Sequence, residues 1–320
     1  MEGEDRMELE PETKELVDLI TAQGRPPFAD MTPAEFRSLL VAPPSAPADD
    51  EAIADVSDTV AAEVPIRIYR PHRPARGIMM YLHGGGFVVG SIDASDAAAR
   101  AIVARTDLVL VSVGYRLAPE NPFPAAVDDA WAVLDWIHQH RAGLAFDGAP
   151  LMVGGDSAGA NLATGAAIHA RDTGINLCFQ LLFYPTTDCD FDRPSYHDHA
   201  EQWPLPREAM QWFWGHYGAD EADWRACPLK AETLRGVAPA YIAVASHDPL
   251  RDEGLAYAKR LESDDVAVIV DDAAGLLHGY ASMLRVSPGA RAALDRGCAA
   301  LRARLDIVEA LTERLPSTQN

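Results

Sequence analysis

Lysine is nearly absent from this 320-residue chain. Lys14, Lys230 and Lys259 are the only three, and lysine plus arginine number 27 against 48 aspartates and glutamates, a formal net charge of −21. Nucleic-acid recognition needs clustered cations, so this balance argues against a nucleic-acid partner and describes a solvated acidic surface. Cysteine is scarce too. Cys178, Cys189, Cys227 and Cys298 are scattered and form no C-x-x-C pair, as expected for reduced thiols in a cytoplasmic protein. No apolar run approaches a membrane span, and Met1 to Glu12 is acidic where a secretory signal would be basic and then apolar. The expectation is a cytoplasmic protein with no membrane partner. Repeats and low-complexity tracts are also missing.

What is present is alternation. Strand candidates are Val64 to Tyr69, Ile78 to Leu82, Val109 to Val113, Leu151 to Val153, Leu177 to Phe183, Tyr241 to Ala245 and Val266 to Val270. Helical stretches follow at Ala94 to Arg105, Ala125 to His140, Asn161 to Arg171, Gly254 to Glu262 and Ala290 to Leu305. That order predicts an α/β fold with a mostly parallel central sheet, helices on both faces and a site at the strands' C-terminal ends. Upstream, Leu16, Leu19 and Ile20 share helical spacing, Thr32-Pro33 reads as a helix start, and Pro43 to Asp50 reads as a linker. The alternation breaks between Thr186 and Leu234, a stretch without strand signal that holds Trp203, Trp212, Trp214 and Trp224. We therefore expect an N-terminal helical cap segment over 1–50, a catalytic α/β domain over 51–185 and 235–320, and a helical cap insertion over 186–234.

The chemistry-bearing residues fall just past the strands. Gly155-Asp156-Ser157-Ala158-Gly159 follows an apolar strand and enters an Ala-rich helix, the pattern of a nucleophile elbow. There a serine stands on a strained turn, and glycines let neighbouring backbone pass without a Cβ clash. His83-Gly84-Gly85-Gly86-Phe87 also follows a strand and leaves backbone amides uncovered, as stabilisation of an acyl-transfer oxyanion requires. A dinucleotide loop starting at Gly84 would need glycine where Val89 stands, and no phosphate-binding G-x-x-x-x-G-K-[ST] occurs. Downstream come Asp248 and then His278, each just past a strand. Serine, acid, histidine is the order of the α/β-hydrolase fold, in which the imidazole takes the hydroxyl proton and the carboxylate holds the imidazole. Asp252, four residues after Asp248, competes for the acid role. His83 reads as a structural donor to the glycine turn rather than a proton carrier.

The cluster Asp188, Asp190, Asp192, His197, Asp198, His199 superficially resembles a calcium loop. The pattern fails where it needs glycine at Arg193 and glutamate at His199, so no metal and no cofactor is expected. Trp203, beside Pro204 and Pro206, is the better candidate for a pocket wall among the cap tryptophans, and Phe87 and Tyr280 are pocket candidates beside it.

The chain resembles the bacterial hormone-sensitive-lipase-like esterases of the α/β-hydrolase superfamily. The resemblance rests on His83 to Phe87, on Tyr115-Arg116-Leu117-Ala118-Pro119-Glu120 with Phe123-Pro124-Ala125, on Gly155 to Asn161, on Asp248 to Asp252, and on His278-Gly279-Tyr280. It implies a carboxylesterase acting on small-molecule esters with short acyl chains through Ser157, Asp248 and His278. The implied oxyanion donors are the amides of the glycine segment, Gly84, Gly85 and Gly86, together with Ala158. Two departures touch packing only: Ala160 replaces a glycine frequent in the elbow's tail, and Tyr280 stands where phenylalanine is common. The same machinery would serve an amide, carbamate or lactone, and family members are often dimers, which leaves a homodimer open. Related plant receptors lose the catalytic histidine; here His278 is present.

Overall fold

A computed structural model describes residues 8–22, 24, 26–39 and 52–314; the expected linker Pro43 to Asp50 lies outside them. The elements run α1 (Pro11–Ala22), α2 (Pro33–Leu39), β1 (Asp55–Ala61), β2 (Val64–Arg70), β3 (Ile78–Leu82), α3 (Asp96–Thr106), β4 (Val109–Val113), α4 (Ala125–Gln139), α5 (Arg141–Leu144), β5 (Leu151–Asp156), α6 (Ala158–Thr173), β6 (Leu177–Phe183), α7 (Pro194–Asp198), α8 (Arg207–Tyr217), β7 (Ala240–His247), α9 (Arg251–Ser263), β8 (Val268–Leu277) and α10 (Pro288–Arg314).

The eight strands form one sheet in the order β1-β2-β4-β3-β5-β6-β7-β8. Only the β1–β2 and β2–β4 pairings are antiparallel. The central strands β3, β4, β5 and β6 are apolar and buried almost throughout, as strands covered on both faces must be. Two apolar clusters cover those faces. One includes side chains of α4, α6 and α9, and the other side chains of α3 and α10. This is the mostly parallel α/β architecture, with helices on both faces, that the alternation predicts.

Two sequence expectations shift. β1 carries no apolar run and was not among the strand candidates; it pairs with β2 through the two-residue turn Ala62-Glu63, both residues at positive φ (48° and 68°). The last strand begins at Val268 rather than Val266 and continues to Leu277, because its polar stretch Asp271-Asp272 still pairs with β7. At the N-terminus the helix start at Thr32 takes the form of a capping box. Glu35 N–H donates to Thr32 Oγ1 (3.3 Å) and Thr32 N–H donates to Glu35 Oε2 (2.8 Å).

Candidate active site

The elbow between β5 and α6 shows why its glycines are needed. Ser157 sits at φ 54°, ψ −121°, a region a side chain enters only under constraint. A Cβ on Gly155 would lie 2.5 Å from Leu82 O, and one on Gly159 would lie 2.0 Å from the same oxygen. Both positions thus press against the end of β3, β5's parallel neighbour. The loop after β3, residues 83–90, is thereby brought beside the loop that carries Ser157.

Three residues picked from the sequence meet here. His278 Nε2 lies 2.9 Å from Ser157 Oγ, and His278 Nδ1 lies 2.8 Å from Asp248 Oδ2. Asp248 is fully buried, and its other oxygen accepts the N–H of Leu250 at 2.8 Å. With Nδ1–H donating to the carboxylate, Nε2 is left as the acceptor for the serine hydroxyl. The ring of Tyr184 meets that of His278 edge-on, at 4.8 Å between centroids. Asp252, the competing acid, does not reach the histidine: its Oδ2 accepts the N–H of Ser195 (2.9 Å) and so ties α9 to α7.

The glycine loop differs from expectation in one place. Gly84 N–H donates to Asp156 Oδ1 (3.1 Å), so Gly84 is not free to serve an oxyanion. Among the described residues, no acceptor meets the N–H of Gly85, Gly86 or Ala158. Asp156 also accepts the Tyr81 hydroxyl at 2.9 Å and is a brace the sequence reading missed; an acid directly before the serine was its one signal. His83 packs behind the loop. Its Nδ1 lies 2.8 Å from Gly84 O and its ring stacks on Tyr115, whose hydroxyl donates to His83 O. Burial holds the His83 imidazole down at about 4, so it stays neutral near pH 7.

The aromatic candidates scatter. Phe87, at positive φ (64°), is buried and stacks on Tyr217 of α8 with centroids 3.8 Å apart. Tyr280 is buried against Tyr184 and Phe183 rather than lining open space. Trp203 is half-buried and packs on the cluster that contains Tyr184 and Tyr280. Trp212 and Phe213 of α8 instead join Phe28 and Phe36 of the N-terminal segment in one aromatic group. Phe213 lies directly on the glycine loop: a Cβ on Gly86 would come within 2.3 Å of its ring. Arg37 of α2 anchors the same corner, donating to Val88 O and Ala118 O and pairing with Glu120. In the former calcium-loop candidate, Asp188 is instead ion-paired with Arg193 (2.6 Å) and Lys230 (3.2 Å). No described helix is long and apolar enough to cross a membrane.

The sequence profile of a family described as alpha/beta hydrolase fold matches residues 79–282. Carboxylesterase NlhH of Mycobacterium tuberculosis is 40% identical over 252 residues, 76% of this chain and 79% of that protein. The ethyl acetate hydrolase of Pseudomonas putida is 35% identical over 246 residues, covering 73% and 77%. Among solved structures, a thermostable esterase from Pseudomonas putida ECU1011 superposes with a TM-score of 0.87 at 30% identity, covering 95% of this chain and 99% of that one.

Proposed function

Because the chain belongs to the α/β-hydrolase fold family, in its hormone-sensitive-lipase-like carboxylesterase branch, and is thus a carboxylic ester hydrolase, we propose that it cleaves short-chain esters through Ser157, His278 and Asp248. In this reading Ser157 Oγ attacks the ester carbonyl while His278 Nε2 takes its proton. The imidazolium that forms is stabilised by Asp248. Negative charge on the former carbonyl oxygen is held by the amides of Gly85, Gly86 and Ala158. Collapse expels the alcohol, which takes the proton back from His278, and the acyl group stays on Ser157. Water then attacks the acyl-enzyme with His278 again as base and releases the carboxylic acid.

The observation that carries the reading is the continuous Asp248–His278–Ser157 hydrogen-bond chain beside three amides that meet no acceptor among the described residues. We read residues 1–50 and 186–234 as two parts of one roof over an α/β domain of 51–185 and 235–320. The aromatic group of Phe28, Phe36, Trp212 and Phe213 is what supports joining them. Phe213 against Gly86 leaves little room beside the oxyanion loop, which favours a small acyl group, and Trp203 is assigned to the same pocket. A relative named for ethyl acetate hydrolysis agrees with a small substrate.

The test is a panel of p-nitrophenyl esters of rising acyl length, run beside an anilide and a lactone. Acetyl to hexanoyl esters are expected to give the highest kcat/KM, with the anilide and lactone slower. Preference for long emulsified acyl chains, or faster turnover of the anilide or lactone, would overturn the assignment of substrate class.

A further inference from the structure

Two of the four cysteines meet across the insertion. Cys189 lies on the stem leaving β6 and Cys227 on the stem returning towards β7. They are 38 positions apart in sequence, yet the Cys227 thiol donates to Cys189 Sγ at 3.5 Å, and both are buried. Asn161, one turn after Ser157, binds both stems at once. Its Nδ2 donates to Thr186 O (3.1 Å) and Ala226 O (2.8 Å), and Leu229 N–H donates to Thr187 O (3.0 Å). The Lys230 ammonium stands 3.7 Å from Cys189 Sγ. The Cys227 hydrogen bond and the Lys230 charge favour the Cys189 thiolate and lower its pKa despite burial, whereas the hydrogen bond that Cys227 donates to Cys189, and after it burial, raises Cys227. Cys178 and Cys298 differ: burial pushes them up to about 11 and about 12, so they stay protonated.

We propose that Cys189 and Cys227 are a peroxide-oxidisable pair whose disulfide staples the two stems of the 186–234 insertion to each other over the nucleophile helix. The chemistry needs one hydroperoxide. The Cys189 thiolate attacks a peroxide oxygen and breaks the O–O bond, giving a sulfenic acid and one water or alcohol once the leaving oxygen takes a proton. The Cys227 sulfur then attacks the sulfenic sulfur and expels water, its thiol proton leaving with the hydroxide. Two thiols are oxidised, one peroxide is reduced, and a thiol reductant reverses the change. The sulfurs must close from 3.5 Å to about 2.05 Å, within reach of side-chain rotation when both stems are already pinned.

The same place offers a rival ligand set, since donor atoms of Asp188, Cys189 and Cys227 lie within 4.8 Å of one another. Both Asp188 oxygens, however, already face cations, Arg193 at 2.6 Å and Lys230 at 3.2 Å. A dication would have to bind against them. The dithiol is therefore assigned redox rather than metal chemistry.

The experiment treats the full-length chain with hydrogen peroxide, beside a Cys178→Ala/Cys298→Ala variant in which only the pair remains. Denatured thiol titration is expected to fall from four to two in the wild type and from two to none in the variant, with reversal by dithiothreitol. Non-reducing peptide mapping should join Cys189 to Cys227. Closing a loop of this length should raise Tm by about 5 °C in the oxidised protein. In Cys227→Ser, Cys189 should stop at a dimedone-trapped sulfenic acid, with no Tm gain. Over-oxidation of Cys189 without a cross-linked peptide, a disulfide to Cys178 or Cys298, or a cross-link that leaves Tm unchanged would overturn the proposal. So would stoichiometric Zn(II) binding by the reduced chain that protects both thiols. Should the double variant fail to fold, mapping of the wild type alone decides.

Discussion

Replacing Asp248 with asparagine tests the acid in a way that the neighbouring geometry makes quantitative. Both carboxylate oxygens are acceptors in use: Oδ2 takes the proton side of His278 Nδ1, and Oδ1 takes the N–H of Leu250. Asparagine has only one acceptor oxygen. If that oxygen stays with the fixed backbone N–H of Leu250, the amide NH2 must face Nδ1, which can then only accept. The ring proton moves to Nε2, the atom 2.9 Å from Ser157 Oγ that receives the hydroxyl proton in the proposed mechanism. If the amide flips instead, Leu250 N–H meets a donor in a fully buried place, at a cost of about 1–3 kcal/mol. The wrong tautomer in a Ser-His-Asp triad costs about 10⁴ in turnover, close to 5 kcal/mol of transition-state stabilisation. Asp252→Asn should instead leave kcat within a few-fold and lower Tm, because Asp252 holds Ser195 and not His278. Steady-state kinetics on p-nitrophenyl acetate and thermal melts of both variants decide the matter. A dead Asp252→Asn enzyme, or an Asp248→Asn enzyme within tenfold of wild type, would mean that Asp248 is not the acid.

Three further outcomes are expected. Gly159→Ala puts a Cβ 2.0 Å from Leu82 O, so denaturant unfolding should show a loss of at least ~3 kcal/mol or no soluble protein; a wild-type midpoint would contradict the tight elbow. Trp203→Ala and Phe213→Ala each remove an aromatic wall, and the acyl-length optimum should move to longer chains in the ester panel, whereas an unchanged optimum would place the pocket elsewhere. His83 is neutral in the fold down to about 4 but takes a proton near 6.5 when unfolded. Its contribution is therefore complete above 6.5 and is lost as pH falls towards 4. His83→Asn should flatten the Tm-versus-pH curve in that window, and parallel curves would refute the assignment.

Much of the site was legible because its chemistry lies in strand-end motifs that the sheet presents on one edge. Ser157, Asp248 and His278 needed only the order of strands to be brought together. What stayed hidden depends on partners distant in sequence. The carboxylate of Asp156 takes the N–H of Gly84, removing one glycine from the expected oxyanion donors, and nothing in a glycine triplet marks which amide will be engaged. β1 was missed because it is a polar edge strand whose hairpin turn uses Ala62-Glu63 at positive φ, without the Asn-Gly or Asp-Gly signal of such turns. Tyr280 looked like a pocket residue from its place after His278, yet it packs inward under Tyr184. Cys189 and Cys227 read as unrelated thiols until the stems of the insertion bring them to 3.5 Å.

The proposed mechanism makes Ser157 the nucleophile, activated by His278. Its most direct test is intact-protein and peptide mass spectrometry after brief exposure to a p-nitrophenyl phosphonate, which traps the attacking oxygen as a stable ester. One phosphonyl group per chain is expected to remain on Ser157, with one equivalent of p-nitrophenol released as the P–O(aryl) bond breaks. The mechanism also predicts no labelling of Ser157→Ala and labelling slowed by orders of magnitude in His278→Ala. Label on another residue, or full ester turnover in a folded Ser157→Ala variant, would contradict it.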